Sequence, residues 1–392
     1  MRSLIICLLG CVLLLGCREE QVPGIENSGL HVIGNKKKLD LISLTAYPDG
    51  GFLLGGNSRR LGNQRLIVSK YDVNLNLEWE RVVGGSLDNK FFKLTIDKQG
   101  NIVVAGFSYG FGKDTVPLNE HKWWNPYVHL LTSDGQTIWE ISPPVSGGAG
   151  QGSGIEERIT DILQDQAGNY LFSGEVFGSV SSSIHPVIFK VFKGGDSLAT
   201  YDYGKKNPRG KMEAIFEYDQ RYYAFNYWRD ADTDDPQARV FQIPNWLGNS
   251  DLTISPVWTD WIWPEFRNDR IGGHKQIRNG NEFIYNYFFA NQVYRYTYKQ
   301  VDNSIQGDWL PLGVDHVVLT NTTFDNHFLL YSEDGEINEL DEELGYLNSF
   351  KTNWKVDQMC KLSNGEYVIG LERNDNLYLV HYDQNGKIRS HE

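Results

Sequence analysis

The chain has 392 residues, 40% hydrophobic and 13% aromatic, with 40 Gly and a formal net charge of −13. That is ample material for a sizeable core, and the Gly and aromatic content suits many short strands and tight turns rather than long helices. The acidity is spread along the chain and Lys36–Lys37–Lys38 is its only basic run, which excludes a nucleic-acid binder, since that needs a basic face to displace phosphate counterions.

The N-terminus reads MRSLIICLLGCVLLLGCREE. Arg2 supplies positive charge, and the apolar run Leu4 to Leu15 is too short to span a bilayer as a helix but suits the core of a signal peptide. It ends in Leu14-Leu15-Gly16-Cys17, which resembles the lipobox of bacterial lipoproteins. There, cleavage before the Cys leaves a thiol for acylation, and a small residue such as Gly16 fits the protease cleft. Leu8-Leu9-Gly10-Cys11 is a competing match that leaves too short an apolar core before it. An ordinary secretory signal with an incidental Cys is the alternative. The resemblance implies a signal peptide over 1–16, lipid on Cys17, and a polar tether over 17–28. Arg18-Glu19-Glu20 also resembles the surface-export signal of Bacteroidetes-type lipoproteins.

From Leu30 onwards the chain is punctuated by a repeated phrase of a polar turn, β-forming residues and a small residue. It appears as YPDGGFLLGG (Tyr47 to Gly56), DKQGNIVVAG (Asp97 to Gly106) and DQAGNYLFSG (Asp165 to Gly174). Weaker copies are YDQRYYAFNY (Tyr218 to Tyr227), RNGNEFIYNY (Arg278 to Tyr287), FDNHFLLYS (Phe324 to Ser332) and LSNGEYVIGL (Leu362 to Leu371). Taking Gly55, Gly106, Gly174, Asn226, Tyr287, Ser332 and Leu371 as equivalent, the spacings are 51, 68, 52, 61, 45 and 39 residues. An alternating run precedes the best copies (LISLTAY, FKLTID, ITDILQD) and two more follow, such as LIVSKYD and then LNLEWERVV. Four short strands per repeat is the content of a β-propeller blade. The expected fold is therefore all-β, one seven-bladed β-propeller over 29–392, with six or eight blades as the nearest alternatives and LHVIG (Leu30 to Gly34) closing the last blade. Stacking blades around an axis covers faces and edges that a single sheet leaves open.

The repeat resembles a family of secreted bacterial propeller proteins that repeat phrases such as "DGGYIVAG" and "VKLDSNGNLEWEKTYGG". The likeness is carried by YPDGGFLLGG and by SKYDVNLNLEWERVVGG, Ser69 to Gly85, and runs over roughly residues 40–205. It implies a propeller fold and an extracytoplasmic place, and no single activity, because propellers host many functions.

Other motifs, in chain order, carry no chemistry of their own. SDGQTIW (Ser133 to Trp139) has Asp and Gly adjacent, so it is a hairpin turn rather than a sialidase Asp-box. GGAGQGSG (Gly147 to Gly154) lacks GxGxxG and a following Lys-Ser/Thr. DADTDD (Asp230 to Asp235) alternates carboxylates, but position six is Asp235 and position twelve Phe241, which excludes an EF-hand and leaves an irregular Ca²⁺ loop as an alternative. The nine His show no HxH or HExxH spacing, and no CxxC pair exists, so no metal site or cofactor is expected. Cys360 reads as a free buried thiol. Trp79 and Trp139 sit in fourth strands, as in quinone-dependent dehydrogenases, but the vicinal Cys pair of that group is missing, and packing between blades accounts for both.

Two aromatic clusters break the repeat: HKWWNPY (His121 to Tyr127) and VWTDWIWPEFRNDR (Val257 to Arg270). Trp123, Trp124, Trp258, Trp261 and Trp263, beside Asp260, Glu265 and Arg267, suit stacking on a sugar or anchoring a protein partner, since loops on a rigid scaffold carry binding residues. Core filling is the competing reading. Asp260 and Glu265 also form a candidate glycosidase carboxylate pair. The expected role is a binding or scaffold module for a glycan or envelope protein, anchored in the outer membrane through Cys17 and facing either the periplasm or the exterior. A glycan-active propeller enzyme and a quinone-dependent dehydrogenase are the alternatives.

Overall fold

The computed structural model describes residues 30–32, 39–60, 63–84, 89–109, 124–142, 157–178, 183–202, 211–218, 221–229, 236–243, 256–257, 272–278, 282–289, 292–299, 304–312, 314, 316–323, 325–373 and 376–389. The signal segment 1–16, Cys17 and the tether to 28, the Gly147–Gly154 run and the Asp230–Asp235 run lie outside them.

The described residues contain no helix and form a β-propeller of four-stranded sheets. After β1 (Leu30–Val32), the first sheet runs outward through β2 (Leu39–Ala46), β3 (Phe52–Arg60), β4 (Asn63–Tyr71) and β5 (Leu77–Val83). The second holds β6 (Asn89–Ile96), β7 (Ile102–Tyr109), β8 (Trp124–Leu131) and β9 (Thr137–Ile141). The third holds β10 (Glu157–Gln164), β11 (Tyr170–Gly178), β12 (Ser183–Val191) and β13 (Ser197–Asp202). The fourth has β14 (Lys211–Tyr218), β15 (Arg221–Arg229), β16 (Pro236–Ile243) and the two-residue β17 (Pro256–Val257). The fifth has β18 (Gly272–Arg278), β19 (Glu282–Phe289), β20 (Gln292–Lys299) and β21 (Ser304–Pro311), and the sixth β22 (Val317–Thr322), β23 (Phe328–Ser332), β24 (Glu336–Leu340) and β25 (Tyr346–Lys351). The last has β26 (Gln358–Lys361), β27 (Tyr367–Arg373) and β28 (Asn376–Tyr382), with β1 as its fourth strand. Each sheet contacts the first strand of the next, and β26, β27 and β28 contact β2, so the ring closes.

Local chemistry explains the hairpins. In Asp97-Lys-Gln-Gly-Asn101 the carboxylate of Asp97 accepts the backbone N–H of Gln99 (2.8 Å) and Asn101 (2.7 Å), and the Asn101 amide returns a bond of 2.9 Å. Asp72, Asp165, Asp341 and Asp383 cap their own turns in the same way. The aspartate thus satisfies donors that the bend turns away from the ladder. The fourth turn position needs positive φ, supplied by Gly100 (83°) and Gly168 (84°) and taken under strain by Leu75 (65°) and Leu344 (69°). Leu75 stays because its side chain is wholly buried in the core between the first and last sheets.

The core lies between sheets. Leu53, Leu66 and Val68 of the first pack with Leu94, Val104 and Leu131 of the second; Val103 and Val128 of the second pack with Phe172 and Phe189 of the third. Trp79 and Trp139 fasten the outer strands. The Trp79 indole donates to Ser133 O (3.0 Å) and covers Gly135, and Trp139 does the same to Lys193 O (2.9 Å) and Gly195. A Cβ on Gly135 would sit 2.8 Å from the Trp79 ring.

Candidate functional site

Antiparallel order gives the ring two unlike ends. At one, first strands turn into second strands and third into fourth, mostly through five-residue turns such as 47–51, 97–101, 132–136 and 362–366, with 244–255 the longest. At the other, second strands lead to third strands and each sheet leads to the next. Three connections there are fourteen or fifteen residues long: 110–123, 142–156 and 258–271. These are called the hairpin end and the long end below.

Trp123 falls within 110–123, and Trp258, Asp260, Trp261, Trp263, Glu265 and Arg267 within 258–271, all outside the described residues. Trp124 opens β8 with its backbone opposite Tyr109, one residue beyond the insertion to which the sequence assigned it. The strands flanking both clusters stop at the long end, so the two connections start from the same end of the ring, on the second sheet and between the fourth and fifth.

Toward the axis, the first strand of five sheets carries a one-residue register shift: Leu41/Ser43, Phe91/Lys93, Ile159/Asp161, Met212/Ala214 and Val317/Leu319. Such bulges re-aim side chains. Lys93 Nζ lies 2.6 Å from Asp161 Oδ1, and Asp161 Oδ2 accepts the Ile215 N–H at 2.9 Å, linking three successive sheets. On the other side of the axis the Asn321 amide donates to Met359 O and to Leu44 O (3.3 Å), linking the sixth, seventh and first. Asp161 is buried and both its oxygens are engaged, which suits a tie between blades rather than a general base.

Two further clusters look catalytic and are better accounted for as structure. His129 is buried with Nδ1 2.6 Å from Tyr127 Oη and Nε2 2.8 Å from Thr137 Oγ1. Burial pushes its pKa down to about 4, and with both nitrogens occupied it presents no base to a substrate. Glu339 receives Lys361 Nζ (2.7 Å) and Tyr367 Oη (2.6 Å), with His327 Nδ1 at 2.7 Å. Burial alone would raise the Glu339 carboxyl, but these partners outweigh it and hold it below the usual range.

The second cluster belongs to a pattern that sequence reasoning missed. Two residues before the outer turn, third strands carry Lys70, Lys190, Glu339 and His381, which face Asp49, Asp165, His327 and Glu366 of the inner turn in the same sheet. The signal was a charge in an otherwise apolar strand end, as in SKYD, NELD and VHYD. Its recurrence across sheets marks it as scaffold. Among the described residues no group of three or more His, Cys, Asp or Glu is placed to hold a metal ion, and no helix is long and apolar enough to cross a membrane.

The chain matches no family model and no curated protein. Among solved structures it is similar to the β-propeller domain of the Trilobed protease from Pyrococcus furiosus, which has an open velcro topology (TM-score 0.50, 10% identity, covering 90% of this chain and 95% of that one). It is also similar to the Dos1 propeller (TM-score 0.46, 11% identity, 87% and 77% covered) and to BamB from Moraxella catarrhalis (TM-score 0.39, 12% identity, 88% and 99% covered). At these identities the likeness is one of fold alone.

Proposed function

We propose that the chain is an envelope lipoprotein whose seven-bladed propeller, residues 29–392, is a binding or scaffold module for a glycan or protein partner. In this reading residues 1–16 are removed, Cys17 carries lipid in the outer membrane, and 17–28 form the tether. The carrying observation is the segregation of the ring: the turns at the hairpin end are mostly short and self-capped, while the three longest connections, two of them bearing Trp-rich sequence, leave from the long end. A rigid scaffold with variable loops gathered at one end is the usual layout of a recognition surface. Trp123, Trp124, Trp258, Trp261 and Trp263, with Asp260, Glu265 and Arg267, are the proposed contacts.

The test is an array of envelope glycans and envelope proteins probed with wild type, Trp261→Ala and Trp263→Ala. Loss of one binding signal in folded variants supports the reading, and undiminished binding in both removes these residues from it. Cys17→Ala should release the chain from membranes or leave it unprocessed; equal incorporation of labelled palmitate by that variant would refute the anchor.

A further inference from the structure

The chain enters the ring at a defined point. The third strand of the last sheet, β28, runs toward the hairpin end and passes into the turn 383–387, after which Ile388 folds back opposite Tyr382. β1 occupies the same edge, antiparallel to β28, with Leu30 opposite Val380 and Val32 opposite Tyr378. It therefore runs from the hairpin end toward the long end, and the residues before Leu30 approach from the hairpin end, at the outer edge of the ring.

We infer that the hairpin end faces the lipid surface and the long end faces away from it. This rests on the anchor at Cys17 proposed above. Thirteen residue steps separate Cys17 from Leu30; as a flexible chain they span roughly 20 Å. Strands of eight or nine residues make the ring roughly 27–30 Å tall. Turning the long end to the membrane would require the tether to run the full height of the ring and stay nearly extended. The hairpin end needs no such extension. Its exposed Asp49, Asp134, Asp196 and Glu343 repel anionic headgroups, so this end faces the lipid without sinking into it. The partner then meets the long connections from the side opposite the membrane.

The experiment places a fluorophore at either end of the full-length lipoprotein, through Gln384→Cys at the hairpin end or Glu333→Cys at the long end, both exposed positions. Cys360 is buried, its thiol pushed up to about 12, and does not label. The protein is reconstituted into phosphatidylethanolamine–phosphatidylglycerol vesicles carrying an acceptor dye on the headgroups, and energy transfer is read after flotation. Transfer at residue 384 is expected to exceed that at residue 333 about two-fold, given roughly 27 Å of strand between the ends. Flotation with equal or reversed transfer overturns the orientation while leaving the anchor intact. Failure of both proteins to float overturns the anchor, and the orientation with it.

Discussion

Lowering the pH from 7 to 4.5 is expected to destabilise this protein through His129. Its ring lies between Tyr127 and Thr137, 5% exposed, and burial holds its pKa at about 4 against an ordinary value of 6.5. The unfolded chain therefore takes up a proton between about pH 6.5 and 4 that the folded chain refuses, so stability is complete above 6.5, falls through that window and levels off below it. At about 1.4 kcal/mol per pH unit, the loss is about 2.5 kcal/mol at pH 4.5. Glu140, with Oε2 3.7 Å from Nδ1, attracts the imidazolium and makes this an upper value. Urea unfolding at pH 7 and pH 4.5 should show the wild type losing about that much more than His129→Gln, which keeps polar atoms in the site but does not titrate. Parallel losses in the two proteins, or an NMR titration of His129 with a midpoint near 6.5, would refute the reasoning.

Gly135→Ala and Gly168→Ala both force a side chain into positive φ, at 78° and 84°, costing about 1–2 kcal/mol each. Only the first also meets a ring, with Trp79 2.8 Å from the new Cβ against 3.8 Å to Lys193 at Gly168, so Gly135→Ala should lower the thermal midpoint further; equal shifts would mean that Trp79 does not hold that turn. Asp161→Ala removes the partner of Lys93 and the acceptor of the Ile215 N–H and should cost about 3–5 kcal/mol in urea unfolding. Asp161→Asn, which retains an acceptor, should cost less, and the same loss from both would mean that the Ile215 contact contributes little.

The scaffold was legible where its determinants are local. The phrases around Asp97 and Asp165 coincide with the self-capped turns, and Trp79 and Trp139 pack between sheets as their place in fourth strands implied. The run at Leu30 pairs with the last sheet. The register shifts beside Ser43, Lys93 and Asp161 left no trace in the alternation, because a bulge is set by the neighbouring sheet as much as by its own strand. The charges at Lys70, Lys190, Glu339 and His381 read as surface residues because their partners lie on a different turn. The fourth repeat was faint for a physical reason: its fourth strand is only Pro256–Val257, after a twelve-residue connection, so little periodic sequence is needed there. Of the proposed contacts, only the backbone of Trp124 falls within the described residues.

The pairing of Leu30 with Val380 also sets a schedule for folding. The two residues are 350 positions apart, so the strand made first docks against one made almost last. Hairpins can form as they emerge, but the ring cannot shut before nearly the whole chain is present, and contacts of such long range form slowly. Until then the outer edge of β28 offers unpaired backbone groups to any extended segment nearby. A chain stalled in export, or trimmed ahead of Leu30, would retain most of its sheets yet carry an open edge, and its fate would be self-association rather than unfolding.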